Sequence, residues 1–278
     1  MLSPDNNQGS GTPTNSPDFR LITLLDLQYR PIFDDTYEWA PHASVNLTNS
    51  LKNESAKADP YMYTVAGPFS LKGTMFSKGY KATATPGYEV LYMDPNGTGT
   101  KSLQLTSYYL GLDQTLTMGK SWFSMYSFEY RNQKSSDPAS IGPVDTSGNK
   151  YTFRTIQTLF IDADRKQILM PLIGFTRDAA TGNTKASNKY DLGITYARPL
   201  PWSLAWNVGL AYYQQKYPDA SPARIDNDYT LSTGFSKPLK DWVIWGVTGS
   251  YTKNASTEVA SAYTKYLIMT TATFSFNF

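Results

Sequence analysis

From Phe19 onward the chain keeps a two-residue beat, and this most narrows what it can fold into. In the last segment Tyr266, Ile268, Thr270, Ala272, Phe274, Phe276 and Phe278 share one side, and Lys265, Thr271, Thr273, Ser275 and Asn277 the other. The same split separates Trp202, Leu204, Trp206, Val208, Leu210 and Tyr212 from Ser203, Ala205, Asn207, Gly209 and Ala211. It recurs for Phe19, Leu21, Leu25, Leu27 and Tyr29 against Arg20, Asp26, Gln28 and Arg30. Side chains on a strand alternate between its faces, so each such segment is a strand with one oily and one wet side. No stretch carries a helical period.

Two environments suit an oily sheet face: a protein core or a bilayer. Aromatics make up 14% of the 278 residues, with 21 Tyr, 13 Phe and 6 Trp, yet mean hydropathy is only -0.42. No run of about 18 apolar residues exists to cross a bilayer as a helix. A membrane protein without such helices must be a closed barrel, because hydrocarbon satisfies no open sheet edge. A barrel needs apolar side chains only at every second position, which reconciles many aromatics with a hydrophilic average. A soluble β-sandwich or barrel also alternates and is the competing reading. With 0 Cys, disulfides and thiolate chemistry are excluded. The 25 basic and 23 acidic residues are scattered, which leaves no electrostatic footprint for nucleic acid.

Residues 1–18, rich in Asn, Ser, Gly and Pro, are expected to form a flexible leader or linker, and 19–278 the barrel. The leader has no apolar signal-peptide core, so an exported chain is expected to have lost its signal. Thirteen alternating segments are legible, near 19–30, 39–51, 60–76, 83–94, 102–116, 121–132, 150–162, 167–177, 187–198, 202–216, 226–237, 241–253 and 263–278. Bacterial barrels have even strand numbers. Gly67-Pro68 suggests a tight turn that divides 60–76, which makes an antiparallel up-and-down barrel of 14 strands the expectation and 12 the next. Short connections (118–121, 163–166, 198–201, 237–241) alternate with long ones (132–149, 177–186, 217–224, 253–261). That is the habit of an outer-membrane barrel with short periplasmic turns and longer outer loops.

The stretch from Tyr190, YDLGITYARPLPWSLAWNVGLAYY, echoes that from Tyr229, YTLSTGFSKPLKDWVIWGVTGSY. Trp122, Trp202 and Trp242 each follow a short turn, where amphipathic rings are expected at the membrane-water boundary. Ordinary core tryptophan is the alternative. The closing TATFSFNF, with Phe274, Phe276 and Phe278 alternating up to the last residue, resembles the C-terminal signal of bacterial outer-membrane proteins. That resemblance covers about residues 19–278 and implies a porin-like barrel inserted by the barrel-assembly machinery. The turn-Trp-strand pattern also resembles the barrels of surface lipoprotein assembly modifiers, which implies a periplasmic partner or upstream domain.

The single His stands in His42-Ala43-Ser44. Its spacing resembles the His-x-Ser of outer-membrane phospholipases and lipid A deacylases, with Asn46 next on that face. Parity places Trp39, Ala43, Val45 and Leu47 toward lipid and His42, Ser44 and Asn46 toward the lumen, whereas a lipid-cleaving site should open to the bilayer. A polar lumen lining is therefore expected, and no enzyme. No metal or other cofactor is expected: Asp162 and Asp164 read as turn residues, and Asp226 and Asp228 as weak cation contacts at most. Lumen-facing candidates by parity are Arg20, Asp26, Arg30, His42, Lys72, Glu89, Asp113, Glu129, Arg131, Arg154, Lys189, Asp191, Asp228 and Lys265.

These readings converge on a channel in the outer membrane of a Gram-negative bacterium, surrounded by outer-membrane lipid, that passes ions or small polar solutes. The polar loop 132–149 is a candidate constriction. A barrel that anchors or exports part of a larger envelope complex is the alternative. A lipid hydrolase using His42 and Ser44 is the third.

Overall fold

A computed structural model describes residues 2–5, 18–29, 31, 35–50, 59–75, 77–94, 101–136 and 145–274. The strands in chain order are β1 (Leu2–Asp5), β2 (Asp18–Gln28), β3 (Tyr37–Trp39), β4 (His42–Ser50), β5 (Tyr61–Ala66), β6 (Phe69–Met75), β7 (Lys78–Met93) and β8 (Ser102–Gly119). They continue with β9 (Trp122–Ser135), β10 (Gly148–Phe160), β11 (Ile168–Ala180), β12 (Ser187–Leu200), β13 (Leu204–Tyr217), β14 (Arg224–Lys240), β15 (Val243–Ser256) and β16 (Tyr263–Phe274). No described helix is long and apolar enough to cross a membrane.

All sixteen segments belong to one antiparallel sheet, and its pairings run full circle. β8 bonds to both β7 and β9, and β1 bonds to both β16 and β2. β5 and β6 pair with successive halves of β7 in one unbroken register, Ala66 opposite Gly87 and Phe69 opposite Ala84. β3 and β4 likewise share one line against β6 and β5. Sixteen segments therefore make fourteen lanes. At about 4.8 Å between strands and a tilt of roughly 40°, such a ring is about 28 Å across its backbone.

Two expectations about where the fourteenth strand lies are corrected. Gly67-Pro68 does not divide 60–76 into two lanes. It interrupts one strand where Pro41, Pro68 and Pro86 crowd adjacent lanes and cannot donate to the ladder. The donors that remain keep the line straight, Ala40 N–H to the Pro68 carbonyl at 3.0 Å and Gly67 N–H to that of Pro86 at 3.0 Å. The extra lane is Leu2–Asp5, inside the stretch read as leader. It covers edges of β2 and β16 that would otherwise present bare hydrogen-bonding groups.

Connections at one end are tight: 76–77, 120–121, 201–203 and 241–242, with 29–36 and 161–167 longer. At the other end they span 6–17, 51–60, 94–101, 136–147, 181–186, 218–223 and 257–262. At the tight end Trp202 (φ 62°) and Ser203 (φ 57°) take left-handed conformations, so Trp202 lies in the turn itself, before the strand that was expected to start with it.

Outward faces carry the oily side chains. Leu25, Val65, Leu112, Phe128, Phe153, Ile173, Leu192, Ile194, Leu210, Leu231 and Ile268 are all exposed. Only Ala40 and Ala66 are buried hydrophobics among the described residues. Two stacked sheets would hide these side chains between them; here they face away from the protein. Toward the long-loop end, ring pairs ornament hairpin after hairpin: Tyr88–Tyr108, Tyr130–Tyr151, Phe175–Tyr190, Tyr212–Tyr229 and Tyr251–Tyr266, with centroids 4.7 to 5.4 Å apart. Toward the tight end stand Trp39, Trp122, Trp206, Trp245 and the fully projecting Trp202. Along β13 the eight residue steps from Leu204 to Tyr212 rise about 20 Å after allowing for tilt, and with Trp202 projecting from the turn beyond them this approaches the height of an outer-membrane apolar band.

Candidate functional site: the inner wall

The other parity lines the ring's interior. Arg20 pairs with Ser50 in the backbone register of β2 and β4. Asp26 opposes Ser44, and His42 opposes Gln28 and Ala66. Lys72, Glu89, Asp113, Glu129, Arg131, Arg154, Lys189, Asp191, Asp228 and Lys265 all lie on inward rows of their strands. Arg30, Phe276 and Phe278 lie outside the described residues, as does most of the expected constriction, 137–144. Phe274 ends β16 opposite Val243.

Three networks organise this wall. In the first, Arg131 bonds Glu89 Oε1 at 2.6 Å and Glu129 Oε1 at 3.1 Å, with its guanidinium 4.9 Å from the Tyr109 ring centre. Tyr109 lies flat across Gly87, where a Cβ would collide with the ring. In the second, Lys189 meets Asp191 at 3.0 Å and sits 4.1 Å above the Tyr213 ring. Beside it Asp228, 3% exposed, accepts from the Tyr263 hydroxyl at 3.2 Å and from Thr230 at 3.0 Å. In the third, Arg224 forks onto Asp226 at 2.7 to 3.1 Å and reaches Glu258 at 3.1 Å. Ser256 also donates to Asp226, at 2.6 Å.

Nearer the tight end, Glu38 receives Lys72 at 2.9 Å and Lys81 at 3.3 Å, and Asp113 accepts from Ser127 at 2.5 Å. Arg154 is exposed on the inner face, with Gly174 separating it from Asp191. The residues expected to line the lumen are thus brought together in part: Glu89 with Arg131 and Glu129, and Lys189 with Asp191. His42 and Ser44 share the face but are not joined by a hydrogen bond among the described residues, and no cluster of three or more metal-ligating side chains forms among those residues.

Several wall residues escaped the sequence reading. Lys81 fell before a segment expected to start at 83, and Arg224 was assigned to a loop. Asp226, expected as a weak cation contact at most, is the ion-pair partner of Arg224 on the inner row of β14. Glu38 precedes the Pro41 break. Extending each period-two pattern outward through its last residue of the right parity would have found all four. The inward tyrosines Tyr109, Tyr213 and Tyr263 leave no signal of their own, because outward tyrosines look identical in sequence.

No family model matches this chain, and no curated protein matches it. Among solved structures, a porin titled anion-selective from Comamonas acidovorans superposes with a TM-score of 0.51 at 9% identity, over 99% of this chain and 96% of that one. Its fold is shared. This chain has the fold of a porin-type β-barrel. A bacterial polysaccharide outer-membrane secretin (TM-score 0.47, 9% identity, 99% and 97% covered) and OprD of Pseudomonas aeruginosa (0.43, 10%, 98% and 93%) are also similar.

Ion pairs of this barrel's wall run sideways. Every side-chain pair described above joins residues two apart on one strand, neighbouring lanes, lanes one apart or an adjoining loop, and the element contacts follow the sheet neighbours. Among the described residues no ion pair bridges opposite walls.

Proposed function

We propose that this barrel is a passive channel of the bacterial outer membrane that passes ions or small polar solutes through its lumen. The observation that carries the reading is the sideways pairing. Charges satisfied along the wall leave the axis to water, whereas a closed interior would pair them across it. Fourteen lanes leave room for such a path. The reading needs no enzyme: His42, Ser44 and Asn46 serve as polar lining. The outward apolar band supports residence in outer-membrane lipid, and Phe274, Phe276 and Phe278 support insertion by the barrel-assembly machinery. Lumen roles for Arg20, Asp26, Arg30, His42, Lys72, Glu89, Asp113, Glu129, Arg131, Arg154, Lys189, Asp191, Asp228 and Lys265 belong to this proposal, as does anchoring by Trp122, Trp202 and Trp242.

Purified barrel in a planar lipid bilayer should give discrete conductance steps whose size scales with salt concentration. A folded protein that inserts and shows no steps would end the channel reading and favour an anchor or export barrel.

A further inference from the structure

Charge divides between the two faces of the wall. Every strand carboxylate whose side chain is described, from Asp26 to Asp228, lies on an inward row. Among the described side chains, the charged residues of the outward rows are Lys and Arg alone. Toward the long-loop end these are Lys134, Arg177, Lys216 and Lys253, all exposed, and none meets a carboxylate among the described residues.

Two of them form a row. Arg177 on β11 opposes Asn188 on β12, which opposes Lys216 on β13. Arg177 also opposes Tyr151, one of the outward ring pairs, and the Lys216 ammonium lies 5.9 Å from the Tyr190 ring centre. The row therefore sits at the upper edge of the aromatic girdle, where apolar wall gives way to loops. Two lanes set its cations roughly 10 Å apart at their backbones, a gap that two long side chains and the Asn188 amide between them can close on one anion.

We infer that Arg177, Asn188 and Lys216 form an outward-facing site for the phosphate group of a membrane-lipid headgroup. Guanidinium and ammonium groups suit phosphate oxygens, the first as a fork and the second as a point charge. The apolar girdle below supplies the surface on which that lipid's acyl chains lie. A soluble anion has no such second contact, and a peptide carboxylate would have to enter hydrocarbon to reach the lower half of the site. The absence of outward carboxylates has the same cause, since they would repel the headgroup layer that the cations attract.

The test measures lipid retention directly. Barrel reconstituted in nanodiscs of phosphatidylglycerol mixed with phosphatidylcholine is released into mild detergent, and bound lipid is counted by native mass spectrometry. The R177Q/K216Q variant should retain phosphatidylglycerol roughly tenfold or more less well, at about fivefold per lost cation near a charged surface. A K120Q/K166Q variant, with the same charge removed from the tight-end turns, should retain it as the parent does. Equal retention by the parent and both variants would overturn the proposal, and so would equal loss in both variants, which would signal a response to net charge alone. If R177Q/K216Q fails to fold, N188L on an intact pair of cations gives the same readout. Retention should fall severalfold, and unchanged retention overturns the site. Stepwise conductance is not required for any arm, so this proposal and the channel reading fail separately.

Discussion

Leu210 and Tyr213 stand three residues apart on β13 and meet different surroundings. Leu210, 58% exposed, presents a bare hydrocarbon surface outward beside Ile194 and Leu231. Tyr213 lies flat on the inner wall under Lys189 and beside Asp228. Outward, each side chain is nearly independent of its neighbours, because lipid accepts any apolar shape. Inward, charged groups are held by partners on their own or nearby strands, as Glu129 and Glu89 hold Arg131. The outer face is therefore tolerant of shape and intolerant of charge, and the inner face the reverse.

The largest effect should come from charging the outer face. Ile194→Arg, near the middle of the apolar band, should cost about 2–4 kcal/mol, read as a lower urea midpoint for refolding into lipid vesicles. A variant as stable as the parent would show that this face does not meet lipid. Next, Asp226→Ala leaves the Arg224 fork facing Glu258 alone and should cost roughly 2–3 kcal/mol in the same assay. Its outer-face counterpart, Tyr229→Ala, loses a ring pair and should cost about 1 kcal/mol beyond the area it uncovers.

Gly87→Ala should scarcely move stability but should lower single-channel conductance, because its Cβ pushes the Tyr109 ring off the wall and into the lumen. An unchanged or larger conductance would mean that Tyr109 does not border the water path. Smallest in energy is Arg154→Glu, an exposed inner residue. It should leave the urea midpoint alone while the reversal potential in a salt gradient shifts toward cation preference.

Much of this contrast was legible beforehand. Parity assigns Val208 and Leu210 to one face and Lys189 and Asp191 to the other because alternation is a property of each strand by itself. The loop-length rhythm also followed from local signals, whereas the total of fourteen was reached with the extra strand misplaced at Gly67-Pro68 instead of at Leu2–Asp5. Ends and interruptions were harder to read. Gly67-Pro68 carries the composition of a turn, and only the ladder between Ala66–Gly87 and Phe69–Ala84 shows that the strand resumes in register. Leu2–Asp5 has too short a pattern to announce a strand, and it forms one because two edges are waiting for it.

What the sequence by itself determined is the two-faced wall: a strand's period is set by its own backbone, and hydrophobicity chooses which face is wet. Which charges meet was decided by tertiary structure. Glu89 finds Arg131 only after β7, β8 and β9 have settled into register, and shifting any of those strands would give each charge a different partner. Closure of the ring is of the same kind, because it depends on β1 lying between strands from opposite ends of the chain.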